Sequence, residues 1–209
     1  MRLILASTSP RRREILSLLG FPFDVIAPDF DETVSAHLSI EDEVLDFAVG
    51  KARSVALHHP EAIVIGSDTM IFLSGAKIGK CLDLADAKRI LRLLSGKTHL
   101  IYTSVAIVDG CGGDGLQMMA KVSVDMRCYD DSAIDRYLAC NESMDKAGAY
   151  SIQGEGSKLI AAIDGDFLAA VGMPLRPIAK YLARRHVELA IDIEKLYAEK
   201  NFLNWLQFA

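Results

Sequence analysis

Cysteine is scarce and scattered in this chain. Cys81, Cys111, Cys128 and Cys140 lie far apart with no Cys-x-x-Cys pair, so they read as reduced thiols and exclude a disulfide frame or a cysteine-based zinc site. Long apolar runs are missing as well. Stretches such as Ile63 to Ile65 and Ala161 to Ile163 fall far below the roughly 18 residues that cross a bilayer. The opening MRLILASTSPRRR has one early cation and few apolar residues before it runs into a helix, a poor signal peptide, which points to a cytoplasmic protein with no membrane partner. Positive charge is in deficit: the formal net charge is -5 and the pI near 5.5, which argues against a general nucleic-acid partner and makes any cationic site a local one. His37, His58, His59, His99 and His186 make no metal-ligand spacing and are expected on the surface or in loops, and neither HExxH nor GxSxG occurs. Two partial nucleotide motifs fail. The SGKT at 95–98 would need a glycine where Leu91 stands, and GEGSKL at 154–159 has Leu159 where a dinucleotide fingerprint has its third glycine.

What the chain does have is length and apolar content. With 209 residues, 51% of them hydrophobic, it can bury a sizeable core as one large domain or two lobes. Strand-like and helix-like segments alternate without a repeat. RLILA reads as a buried strand, and SPRRREILSLLG as a helix with Ser9 as N-cap, Pro10 at its first position and Gly20 as its stop. FDVIAP is a second strand. Apolar residues at Val44, Phe47, Ala48, Ala52 and Val55 mark a helix from Ser39 to about Leu57. AIVIG is a third strand, followed by SDT and the apolar MIFL, and LADAKRILRLL at 84–94 is an amphipathic helix. HLIYTSVAIV and LQMMAKVSVDMRCY read as long strands joined by the glycine-rich DGCGGDG, a hairpin signal. SAIDRYLAC follows as a helix, KLIAAIDG as a strand, and the chain from Pro174 as mainly helical. Its apolar end, with Phe202, Leu203, Trp205, Leu206 and Phe208, is expected to dock on the body. This is an α/β chain whose hairpin makes the sheet mixed and twisted, with helices on its flanks.

Three features carry chemistry. A helix N-terminus disfavours cations, yet Arg11, Arg12 and Arg13 occupy the first turn of one. They form either a solvated basic face or, with the free backbone N–H groups, a site for a phosphate. Lys51 falls on the apolar side of its helix, where either its stem snorkels to the surface or its ammonium points into a polar cavity. Asp68 stands where the apolar strand AIVIG ends, beside Gly66, which allows close backbone approach. Such an acid either caps a turn or activates water, directly or through a divalent cation. Asp29, Asp31 and Glu32 in PDFDET are metal ligands or a solvated acidic turn.

The segments LILASTSPRRREIL, APDFDET, VGKA, VIGSDT, IGK, LSGKTH, DKAGAYSIQGEG and VGMPL, in that order, resemble the Maf-type nucleoside triphosphate pyrophosphatases, relatives in fold of the inosine triphosphatases. The resemblance implies one bilobed domain over 1–209 with a central cleft, and hydrolysis of a nucleoside triphosphate between its α and β phosphates with Mg2+ or Mn2+ assisting. It implies Asp68 as the proton acceptor, Ser7, Arg12, Lys51 and Lys80 as phosphate contacts, Glu32 with Asp68 near the metal, and a homodimer. Arg11, Thr69 and Gln153 match the branch acting on dTTP and UTP, where the 7-methyl-GTP branch has an aromatic residue, Gln and Glu. A neutral amide pairs donor and acceptor with a pyrimidine edge, whereas a carboxylate suits a cationic methylated purine. Two other readings stay open at this point: a nucleotide-responsive binding protein that regulates division, and a house-cleaning enzyme for non-standard purine triphosphates. Cys81 stands where the family has proline, which would loosen the Lys80 loop. Gly50 precedes Lys51 and costs helix α-propensity of about 1 kcal/mol.

Overall fold

A computed structural model describes residues 1–35, 37–110 and 115–208. Seven strands form one sheet: β1 (Arg2–Ala6), β2 (Asp24–Ile26), β3 (Ala62–Leu73), β4 (Ala76–Ile78), β5 (Thr98–Asp109), β6 (Leu116–Met126) and β7 (Ile160–Asp164). Their order is β2-β1-β3-β5-β6-β7, with β4 also on β3. β1 is parallel to β2 and β3, and every other pairing is antiparallel. The sheet is therefore mixed, as the hairpin predicts. Part of the predicted turn, 111–114, lies outside the described residues.

The helices are α1 (Pro10–Ser17), α2 (Ile40–Ala56), α3 (Leu84–Leu94), α4 (Asp131–Leu138), α5 (Phe167–Val171), α6 (Leu175–Arg184) and α7 (Ile193–Glu199). Ser39 caps α2 by accepting from the Asp42 N–H, and Asp83 caps α3 by accepting from Asp86. Helix α5 was absent from the sequence reading, because its five residues are all buried and show no polar face from which to read a period. No helix of the described residues is long and apolar enough to cross a membrane.

Side-chain alternation along the strands builds two layers. Leu3, Leu5, Ile63 and Ile65 face the larger core with α1, α3 and α6. Ile4, Ala6, Ala62 and Val64 face the other way, under Ala48, Ala52 and Val55 of α2. The end of the chain docks on the body, as expected for Trp205, which stacks on Phe167 at 5.3 Å, while Leu203 and Leu206 stay exposed.

Two expectations are corrected. The strand AIVIG does not end at Asp68; β3 runs unbroken through SDT and into MIFL, because β5 pairs with it from Ile63 to Phe72. What ends near Asp68 is the neighbour on the other edge. β1 stops pairing at Gly66 and β4 starts at Ile71, so Ser67 to Met70 face a gap in the sheet. His99, expected on the surface, is buried on β5 with Nε2 2.8 Å from the Tyr150 hydroxyl.

Gly66 sets how close α2 lies to the sheet. A Cβ there would overlap the Ala48 carbonyl and come within 2.8 Å of the Ala52 nitrogen, one residue after Lys51. Gly66→Ala is expected to lower stability by about 1–3 kcal/mol through overpacking and to lower kcat further by lifting Lys51 away from Asp68. Denaturant melts together with turnover check both, and an unchanged kcat in the folded variant would contradict the placement.

Candidate active site

The gap in the sheet opens into a cavity of about 590 Å³. Because β3 continues past β1, side chains from both layers reach it. Odd residues of β3 point toward α1 and α5, and even ones toward α2. Asp68, an even residue, meets Lys51; Thr69, an odd one, meets Arg12. Ser7, Arg11, Arg12, Glu32, Lys51, Asp68, Thr69 and Lys80 all line this one cavity. Its charged lining also includes Asp145 and Lys146, so five cations stand against three carboxylates, the reverse of the whole chain's balance, and the field inside favours an anion.

The buried Lys51 does not snorkel. Its Nζ lies 2.6 Å from both Asp68 Oδ1 and Glu32 Oε1. The partners it has in the cavity are acids, which satisfy its charge in a place where an unpaired ammonium would be costly. Burial pushes the Asp68 carboxyl above its usual range, against the opposing pull of Lys51 and Arg12. Glu32 is also raised by partial burial, but the Lys51 hydrogen bond and charge, with Lys80 and Arg12, win and hold it below its usual range. Two neighbouring carboxylates are thus driven in opposite directions, the arrangement that separates a proton acceptor from a permanently ionised acid.

Arg12 is oriented by two bonds: Nε donates to the Gly172 carbonyl at 3.1 Å and Nη2 to Thr69 Oγ1 at 3.3 Å. Burial lowers its pKa, offset in part by Asp68 and Glu32. Arg11 is lowered by burial first and by Arg12 second, with Asp145 opposing. Ser9 stands at the N-cap of α1 but makes no side-chain cap, and its own N–H donates to the buried Ser7 hydroxyl at 3.2 Å. The first turn of α1 therefore faces the cavity without a capping side chain, which gives the arginines a reason to be there. Arg13 is exposed.

Some sequence-predicted residues are not brought in. Asp29 and Asp31 are exposed and do not line the cavity. Gln153 is not a lining residue either; its neighbour Ile152 is, and the Gln153 amide donates to Glu14 Oε2 at 3.1 Å. The two departures from the family pattern have local explanations. A Cβ on Gly50 would overlap the Phe30 ring, so this glycine lets the Glu32-bearing segment lie on α2, with Phe30 edge-on to Phe47 at 5.7 Å. Cys81 is buried with Sγ 3.5 Å from the Ser143 carbonyl, and Lys80 bridges to Ala147, so the Lys80 loop is held rather than loosened. Gly172, Asp145, Lys146 and Tyr150 were missed as site residues. Their signal lay in the VGMPL and DKAGAY blocks, which supported the resemblance without a role for each position.

The family model described as Maf-like protein matches residues 2–185. A dTTP/UTP pyrophosphatase of Moorella thermoacetica is 43% identical over 182 residues, covering 87% of this chain and 94% of that protein. One of Bacillus anthracis is 38% identical over 188 residues, covering 90% and 97%. Among solved structures, the Staphylococcus aureus Ham1 protein is 16% identical with a TM-score of 0.44, covering 78% of this chain and 81% of that one.

Proposed function

The chain belongs to the Maf family, and from that premise we propose that it is a dTTP/UTP pyrophosphatase, a single bilobed domain whose cleft cleaves the α–β phosphoanhydride to give the nucleoside monophosphate and pyrophosphate. The observation that carries the reading is the Lys51 ammonium, 2.6 Å from two carboxylates with opposite pKa shifts, in a cavity that Arg12 and Lys80 also line.

In this reading Arg12, Lys80 and Ser7 receive the phosphate chain, with guanidinium and ammonium groups neutralising charge that a water nucleophile would otherwise be repelled by. Lys51 holds Asp68 by Oδ1, so Oδ2 is the oxygen left to take the proton of the attacking water. Its raised pKa, the result of burial, makes it a better acceptor than an ordinary aspartate. Water attacks the α phosphorus in line, and pyrophosphate leaves with the bond electrons. Arg11 faces the base end of the cavity, and Gln153 lies at its margin beside Ile152.

The residues suit a hard divalent cation. Asp68 and Glu32 reach one point, where the Lys51 ammonium sits, while no cluster of three or more His, Cys, Asp or Glu occurs among the described residues. Two carboxylates completed by substrate phosphates and water are the donor set that Mg2+ prefers, and Mn2+ accepts it. Held by the carboxylate oxygens that Lys51 does not occupy, together with substrate phosphates, the cation would polarise the phosphoryl oxygens.

Purified protein incubated with UTP, dTTP, CTP, GTP and ITP, with Mg2+ or Mn2+, is expected to release pyrophosphate fastest from UTP and dTTP. Preference for ITP would instead make it a purine house-cleaning enzyme, and tight binding with no release would make it a sensor.

A further inference from the structure

Thr103 has no part in the reading above. It is fully buried at the middle of β5, directly across from Thr69 in the register, and does not line the cavity. Its hydroxyl has a single hydrogen, and that hydrogen goes to the Ala169 carbonyl at 2.8 Å, which can only accept. The Thr69 hydroxyl, 3.0 Å from Thr103 Oγ1, must then be the donor between the two. Thr69 Oγ1 in turn accepts from Arg12 Nη2 at 3.3 Å. One terminal acceptor thus fixes the direction of every bond in the chain from Arg12 through Thr69 and Thr103 to Ala169. The second support of Arg12 comes from the residue that caps the same short helix: the Gly172 carbonyl accepts from Arg12 Nε at 3.1 Å.

We propose that Thr103 is a positioning residue for polyphosphate binding: its buried hydroxyl orients Thr69, and Thr69 orients the guanidinium of Arg12 toward the cleft. This rests on Arg12 being a phosphate ligand. It also gives Thr69 a role other than reading the base. Its only hydrogen is committed to Thr103, so it has none to donate to a nucleobase carbonyl, and its contribution falls on the phosphate chain, which all nucleotides share.

The test uses T103V, T103S, T69V and T69S in the full chain. For T103V, KM for UTP and the dissociation constant for inorganic tripolyphosphate, measured by calorimetry, are each expected to rise about tenfold, as loss of one charge-assisted hydrogen bond from the misdirected Arg12 to phosphate does. The ratio of UTP to CTP turnover stays at the wild-type value, kcat changes less than KM, and T103S restores both constants because it keeps the hydroxyl. T69V is expected to show the same pattern, with T69S as its rescue, and answers the question even where T103V fails to fold. Folded T103V and T69V with wild-type constants would overturn the proposal, as would a changed UTP to CTP ratio in T69V. A purely structural role would lower kcat with the folded fraction and leave both constants alone. Tripolyphosphate binding needs no turnover, so a protein that binds it but releases no pyrophosphate from UTP sinks the hydrolase reading and still tests this one. A wild-type protein that binds no polyphosphate overturns both.

Discussion

Asparagine in place of Asp68 lowers kcat by about 10²–10⁴-fold, the range a positioned general base contributes, with a much smaller change in KM. The variant keeps the side-chain volume and leaves Lys51 its 2.6 Å contact with Glu32, so the buried ammonium is not orphaned and the fold survives. What goes is the proton acceptor. Because uniform binding is untouched, kcat and kcat/KM fall together. The pH profile supplies an independent check. Asp68 works only when ionised, and burial raises its pKa from the ordinary 3.8, so wild-type kcat/KM has an acid limb that rises with pH above the usual carboxylate range. The limb is lost in D68N. A D68N protein with near-normal turnover, or a wild-type profile flat through that range, would refute the assignment.

Methionine in place of Lys51 has the largest effect on stability. It leaves Asp68 and Glu32 facing each other in a site where one is 5% exposed with no ammonium between them, and breaking one side of a buried ion pair costs about 3–5 kcal/mol. The pH dependence has a definite sign. Both carboxyl groups lose a neighbour that lowers their pKa, so both titrate higher in the variant. In the wild type, the depressed pKa of Glu32 gives stability that is present above its ordinary 4.5 and lost as pH falls through the folded value. The raised pKa of Asp68 works the other way: the folded state binds its proton more tightly, an advantage full at acid pH and lost as pH rises through the folded value. Removing Lys51 cancels the first and enlarges the second. The deficit of K51M relative to wild type is therefore greatest near neutrality and shrinks as pH falls and the two acids take up protons. Urea melts at neutral and acid pH measure it, and a deficit that grew on acidification would contradict the ion-pair geometry. The acid limb of any residual activity is expected to move to higher pH for the same reason.

Much of the fold could be read directly from residues. Helix α3 falls on the segment its apolar spacing marks, and β5 and β6 fall on the two long strands around the glycine-rich turn, with β6 ending at Met126 instead of continuing to Tyr129. Residues near one another in the chain carry such signals because each element's period is local. The site was legible only in pieces. Three arginines at a helix start, a lysine on an apolar face and an acid beside a glycine each looked anomalous, and each anomaly had an ordinary alternative. Nothing local could join them, since Lys51 and Asp68 meet across 17 positions and Arg12 and Thr69 across 57. Thr103 carried no signal, for a threonine inside a strand is unremarkable until its partners are known.

The amino-acid order alone determined the mixed α/β architecture, the family and the set of charged side chains from which a phosphate site could be drawn. Tertiary structure decided which of those charges meet. β1 ends at Ala6, opposite Gly66, while β3 continues, and this break in the sheet beside β3 lets the α1 layer and the α2 layer reach the same cavity. Where a strand loses its neighbour depends on the relative lengths and register of segments far apart in the chain, and that is a property of their pairing, which no single segment contains.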